Sequence, residues 1–108
     1  MSDLITLARQ FAGAHESGRV LVLPTVWDTW SAAVAVEAGS EGLTVGSHPV
    51  ADSIGSSDGE NMRFEDYLVS VRRITGSVDV PVSADVESGY GLAPAELIEK
   101  LLEAGAVG

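Results

Sequence analysis

The feature that most constrains this chain is a regular alternation between two kinds of apolar pattern. Val20-Leu21-Val22-Leu23-Pro24, Leu43-Thr44-Val45 and the segment from Val78 to Ala84 are short, β-branched apolar runs. Such runs suit strands buried on both faces, although Pro81 weakens the early part of the third. Around them, apolar residues recur at helical spacing: Leu4, Leu7, Phe11 and Ala14; an alanine-rich stretch ending near Gly39; Phe64, Tyr67, Leu68, Val71 and Ile74; and Leu97, Ile98, Leu101 and Leu102. Ser2 or Asp3 can cap the first helix and Asp28 or Thr29 the second. Ala106-Val107-Gly108 looks like the start of a fourth strand. Strands joined through helices cross over and pair in parallel. The pattern therefore predicts parallel strands near 20–24, 42–46 and 80–85, adjacent in that order, with helices outside.

A weak repeat sets the scale. Glu37-Ala38-Gly39 and Glu103-Ala104-Gly105 each close a helix just before a strand, 66 positions apart. Two units of about 33 residues match the ~31 per unit of a (β/α)₈ barrel of ~250 residues. On this reading, residues 1–108 form a single domain, the N-terminal part of a (β/α)₈ TIM barrel, apparently truncated. It would cover about the first three β/α units and the start of the fourth strand. A doubly wound open sheet has similar units, but no G-x-G-x-x-G follows the first strand. A small free-standing α/β fragment or a non-catalytic interaction module stays open as an alternative. A receiver-like α/β domain fits poorly, with Asp28 as the only acid after the first strand and Lys100 on a helix.

Charge and composition exclude several function classes. Sixteen acidic against six basic residues give a net charge of −10, which disfavours nucleic acid or an anionic membrane surface as partner. An anionic substrate is still compatible, because a bound divalent cation reverses the local field. The absence of cysteine removes thiol catalysis, disulfides and zinc–thiolate sites. No apolar run approaches the ~20 residues of a membrane span, and Met1-Ser2-Asp3-Leu4 lacks the character of a signal peptide. The expectation is a cytoplasmic protein with no nucleic-acid or membrane partner.

Parallel α/β folds bind ligands at the carboxyl ends of their strands, and the unusual residues gather there. Trp27 and Asp28 follow the first strand; Gly46, Ser47 and His48 follow the second, ahead of a long loop to about Arg63 that contains Asp58. Asp85 and Glu87 follow the third, ahead of Ser88-Gly89-Tyr90-Gly91. In extended backbone Asp85 and Glu87 would point the same way, and two converging carboxylates suit Mg²⁺, which takes one or two from a protein. Ser47 could bind a substrate oxyanion or carboxylate, and Asp58 could act as a general base or support a metal. Each has a plainer reading: a solvated acidic loop for Asp85 and Glu87, an Asp-Gly turn for Asp58, a loop serine for Ser47. For Trp27 the plainer reading is packing, and for Asp28 a helix cap. His48, before Pro49, could act as an acid/base, but a lone histidine reads more readily as structural, and His15 has no evident role. The 46–63 loop reads as an ordered lid or binding loop, since long loops in compact domains are usually functional or disordered.

Taken together, these segments resemble the phosphonomutase-like branch of the isocitrate lyase/phosphoenolpyruvate mutase superfamily. Leu23-Pro24-Thr25-Val26-Trp27-Asp28 is similar to that branch's opening motif, and Gly46-Ser47 with Val50-Ala51-Asp52-Ser53-Ile54-Gly55 to its substrate loop. Ser57-Asp58-Gly59-Glu60 resembles its gating-loop acid. The stretch from Val80 to Gly91 is close to its metal-binding strand. The resemblance implies Mg²⁺ held largely through waters by Asp85 and Glu87. It also implies a lyase or mutase that cleaves or forms a C–C or P–C bond beside the carboxylate of a small α-oxo or 2-hydroxy acid, or a phosphonate, through an enolate. Ser47, with Gly46, Trp27 and Asp28, would contact substrate, and Asp58 would be catalytic, in a homo-oligomer when full length. The chain departs from the branch at Val45, often aromatic, and at His48-Pro49, where small residues are usual. Those departures leave the substrate open.

Overall fold

The computed structural model describes residues 3–108. In chain order the elements are α1 (Leu4–His15), β1 (Thr25–Val26), α2 (Thr29–Glu37), β2 (Leu43–Val45), α3 (Ser47–Ser53), α4 (Phe64–Thr75), β3 (Val82–Ala84) and α5 (Pro94–Glu103). The sheet is parallel in the order β1-β2-β3, with Thr25, Thr44 and Ser83 in one register row and Val26, Val45 and Ala84 in parallel pairing. Residues 106–108 extend the ladder along β3. Val107 N–H donates to the Val82 carbonyl at 2.9 Å, and Ala84 N–H to the Gly108 carbonyl at 3.0 Å. The α/β order and the parallel pairing expected from the pattern are therefore present.

Two expectations need correction. The first strand is Thr25–Val26, not 20–24. Its pairing with β2 starts only where Thr44 N–H donates to the Pro24 carbonyl at 3.0 Å. β2 is short and begins at Leu43, so the residues before Pro24 find no ladder partner. Val20 and Val22 are 89% and 68% exposed rather than buried on both faces. The second correction concerns the 46–63 loop, whose first part is the helix α3. Val50 and Ala51 bury one side of it. Pro49 falls in its first turn, where a missing N–H costs no intrahelical bond.

The outward face of the sheet carries the core. Val26, Leu43, Val45 and Val82 pack with Ala32 of α2, Leu68, Val71 and Ile74 of α4, and Leu101 of α5. Each large side chain buried there contributes about 1.5–3 kcal/mol. On α1 the expected stripe of Leu4, Leu7, Phe11 and Ala14 is half-buried, and Phe11 lies against Gly42 at the amino ends of the strands. Asp3 caps α1 by accepting from Thr6 N–H at 2.7 Å; Ser2, the other candidate cap, lies outside the described residues.

The Glu-Ala-Gly repeat has a physical cause. After α2, Gly39 N–H donates to the Val36 carbonyl and Ser40 N–H to Ala35; after α5, Gly105 N–H donates to Leu102 and Ala106 N–H to Leu101. Both are Schellman caps, which turn on a left-handed residue, and Gly39 and Gly105 have φ of 101° and 90°. The cap reverses the chain and feeds it into the next strand. No helix among the described residues is long and apolar enough to cross a membrane.

Candidate active site

At the carboxyl ends of β2 and β3 the backbone brings two loops together. Gly46 ends β2, and a Cβ there would lie 2.6 Å from Thr25 Cγ2 and 2.9 Å from Pro49 Cγ. The close approach demands glycine. Ser47 opens α3, is 3% exposed, and donates its hydroxyl to Asp85 Oδ2 at 3.0 Å. Asp85 N–H donates to the Val45 carbonyl at 3.0 Å, the last rung between the two strands.

Beyond Asp85 the chain does not stay extended. Asp85 Oδ1 accepts from Glu87 N–H at 2.9 Å, an Asx turn that bends the backbone, and Glu87 adopts φ 50°. The two carboxylates thus share one strand mouth through a turn, not through the two-residue repeat of a strand. Glu87 Oε2 accepts from Glu60 N–H at 3.2 Å and from the Tyr90 hydroxyl at 3.1 Å. Glu60 Oε1 in turn accepts from Ser88 N–H at 3.0 Å, the Ser88 hydroxyl at 2.7 Å and Tyr90 N–H at 3.0 Å. The Ser88 hydroxyl, with these backbone donors, holds the Glu60 carboxyl below its usual range. Glu60, Glu87 and Tyr90 are the non-glycine residues with positive φ among those described, and all three belong to this contact. Such backbone persists only where its surroundings hold it, and it concentrates at functional sites.

An aromatic wall backs the acids. Tyr90 stacks 6.1 Å from Tyr67 and lies 4.9 Å from Phe64, while the fully buried Tyr67 donates its hydroxyl to the Val45 carbonyl at 3.2 Å. Burial first, then the Asp85 charge, raises the Tyr67 phenol well above its ordinary value. Burial and the hydrogen bond to Glu87 do the same for Tyr90.

Asp85, Glu87 and Glu60 form no ion pair with lysine, arginine or histidine among the described residues; the pairs present are Arg19–Glu41, Lys100–Glu65 and the contacts of His48. An all-oxygen donor set of two carboxylates beside a serine hydroxyl, with no resident cation, suits a hard divalent ion such as Mg²⁺. The described residues contain no cluster of three or more His, Asp or Glu side chains arranged as a complete metal cage.

The other expected residues lie around this centre without hydrogen bonds to it. Asp58 faces His48 Nδ1 at 3.9 Å, and His48 Nε2 is 3.3 Å from Asp52. Asp28 caps α2, accepting from Ser31 N–H at 2.7 Å, and Trp27 N–H donates to the Ser31 hydroxyl at 3.0 Å. Both line a separate cleft of about 300 Å³ with Thr29, Ser53, Ile54, Ser70 and Arg73. Sequence reasoning gave no role to Glu60, Tyr67 or Tyr90. Tyr67 carried a signal, a phenol on an otherwise apolar helical stripe. Glu60 carried none, because its partners lie 27 to 30 residues away.

A parallel α/β unit with two acids just beyond the carboxyl end of β3 defines a class that binds its ligand at the carboxyl end of the sheet. The model of the phosphoenolpyruvate phosphomutase family matches residues 11–108, and the chain belongs to that family, within the phosphoenolpyruvate mutase/isocitrate lyase superfamily. A structure assigned as a phosphonomutase from Burkholderia cenocepacia J2315 is similar at 38% identity and TM-score 0.85, covering 94% of this chain and 43% of its own. One assigned as a lyase/mutase from the same organism is 34% identical with TM-score 0.91, covering 98% of this chain and 39% of its own. An oxaloacetate acetylhydrolase solved with its product oxalate is 26% identical with TM-score 0.82, covering 94% and 37%. The chain thus spans less than half the length of the structures it matches. Among curated proteins, none matches it.

Proposed function

We propose that this chain forms the first three β/α units and the start of the fourth strand of a (β/α)₈ barrel. The barrel would be a Mg²⁺-dependent lyase or mutase that cleaves or forms a C–C or P–C bond beside the carboxylate of a small α-oxo or 2-hydroxy acid, or a phosphonate. The observation that carries this is the bonded set Ser47, Asp85, Glu87 and Glu60, which holds two unneutralised carboxylates at one strand mouth. A barrel is favoured by the open apolar cleft beside α5, where Ile98 and Leu102 are 54% and 45% exposed. A further β/α unit would cover it.

Asp85 and Glu87 would hold Mg²⁺, which when bound polarises the oxo and carboxylate oxygens of the substrate and offsets the charge of an enolate. Ser47 fixes Asp85 through its hydroxyl, and with Gly46 it borders the seat of the substrate carboxylate. Trp27 and Asp28 line a separate cleft and take no part in this seat. Asp58, on the loop that leaves α3, would exchange a proton with the substrate while the loop excludes water from the enolate. The oxaloacetate acetylhydrolase relative holds oxalate, an enolate-shaped dianion, which fits a small anionic substrate here as well. The whole enzyme would be a homo-oligomer.

The test is to assay the intact protein with oxaloacetate and phosphonopyruvate, with and without a chelator. Turnover should vanish on chelation and return with Mg²⁺. Turnover indifferent to chelation overturns the metal reading, and no turnover of either acid class overturns the substrate reading.

A further inference from the structure

We propose that Glu60 is a positioning residue that clamps the loop after α3 onto the loop after β3 and so presents Glu87 Oε1 to a divalent cation. The inference rests on the reading of Asp85 and Glu87 as the residues that hold Mg²⁺. Its own basis is the distribution of hydrogen bonds. Both donors to Glu87 fall on Oε2, and both depend on Glu60. One is the Glu60 backbone N–H. The other is the Tyr90 hydroxyl, on a residue whose backbone N–H the Glu60 carboxylate holds. Glu87 Oε1 has no hydrogen-bond partner among the described residues. One carboxylate oxygen of Glu87 is spent on holding the side chain still, and the other is left for a cation or its water.

The backbone supports the same reading. Left-handed φ is disfavoured for a residue with a Cβ, yet Glu60, Glu87 and Tyr90 adopt φ of 65°, 50° and 54°. Three donors on Glu60 Oε1 tie the 88–90 turn to Glu60 itself. Without that carboxylate, Ser88 and Tyr90 lose the acceptor that holds them against relaxation, and Glu87 loses its fixed direction. Glu60 would then act on the cation through geometry, with no direct contact. Groups that orient a metal-holding side chain typically change metal affinity about 10- to 100-fold when removed.

The experiment is calorimetric titration of the metal-free intact protein with Mg²⁺, on wild type, Glu60→Ala, Glu60→Gln, Glu87→Gln and the distant control Glu99→Gln. We expect Glu60→Ala to weaken Mg²⁺ at least about tenfold. Glu60→Gln keeps the side-chain oxygen that accepts from Ser88 and Tyr90, so it should restore most of that loss. Adding Glu60→Ala to Glu87→Gln should cost little more, because the two act as one unit. If Glu60→Gln binds as weakly as Glu60→Ala, the effect is one of charge and the positioning role is overturned. If binding fails in Glu87→Gln but is unchanged in Glu60→Ala, the positioning role is overturned while the metal reading stands. A wild type that binds no Mg²⁺ overturns both. If Glu60→Ala does not fold, Glu60→Gln against wild type decides: near-equal affinity supports positioning, and loss overturns it.

Discussion

The Ser47 hydroxyl donates to Asp85 Oδ2 across 3.0 Å, joining the residue that leaves β2 to the residue that leaves β3. Ser47 is buried while Asp85 is open to solvent. Water can therefore replace the lost donor on Asp85, and Ser47→Ala should cost no more than about 1 kcal/mol of stability. If Asp85 holds Mg²⁺ as proposed, turnover should suffer far more, falling at least about tenfold, because the carboxylate loses its orienting partner. Urea unfolding beside steady-state kinetics on the intact enzyme checks both halves. A large stability loss with unchanged turnover would make Ser47 a structural residue only.

The strand mouths could be read from sequence because their apolar runs and glycines act locally. Gly39 and Gly105 mark caps that close on their own neighbours, so the Glu-Ala-Gly repeat marked two like helix ends directly. The bounds of β1 were not local. Val20 to Leu23 has strand composition, yet pairing is decided by where β2 begins. The two-residue repeat expected for Asp85 and Glu87 does not hold: an Asx turn, invisible to a period-two argument, bends the backbone between them. Glu60 was hidden because its hydrogen bonds reach across α4 and β3, and its neighbour Asp58 drew attention as the nearer acid. Asp28 was legible as a cap and is one.

Alkaline titration should separate the two tyrosines from free phenol. Burial leads in raising both Tyr67 and Tyr90 above the ordinary value of 10.0. Below pH 10 both states keep the phenol protons and the contribution to stability is complete. Above it the unfolded chain releases them while the fold retains them, so stability falls as pH rises. Phenolate absorbance should therefore appear only above the free-tyrosine range and together with loss of structure by circular dichroism. Normal ionisation of both tyrosines in the folded protein would contradict the packing around Asp85.

The matched caps give a stability test with an internal control. Gly39 and Gly105 occupy the same cap position with similar φ, so Ala at either pays the left-handed penalty of about 1–2 kcal/mol. Their surroundings differ. A Cβ at Gly39 meets nothing within 4 Å, whereas at Gly105 it would lie 2.6 Å from Thr75 Oγ1 and 2.8 Å from Thr75 Cβ. Thr75 Oγ1 also donates to the Ala104 carbonyl at 2.7 Å, a bond the intruding methyl would displace. Gly105→Ala should therefore exceed Gly39→Ala by a further 1–3 kcal/mol or so, the usual cost of overpacking. Chemical unfolding of the two single variants measures the difference, and equal losses would mean that Thr75 yields freely.

The last prediction concerns the acid pair and the ligand it would serve. Asp85 and Glu87 lie at a strand mouth, outside the apolar core, and both are exposed. Residues in that position affect function more than stability in parallel α/β enzymes. Asp85→Asn and Glu87→Gln keep the size of each side chain and much of its hydrogen bonding, yet each removes one negative charge from a site with no cation partner of its own. Folding should therefore be retained, and Mg²⁺-dependent turnover in the intact enzyme should be lost or nearly so. If the cation binds where charge develops on the substrate, an oxalate dianion should compete with substrate, and only when Mg²⁺ is present. Its inhibition should disappear in both variants at a Mg²⁺ concentration that saturates wild type. Thermal unfolding, turnover and oxalate inhibition measured on the same three proteins separate the outcomes. Loss of fold would make the acids structural. Full turnover in either variant would remove that residue from the metal site, and oxalate inhibition independent of Mg²⁺ would place the anion somewhere other than on the cation.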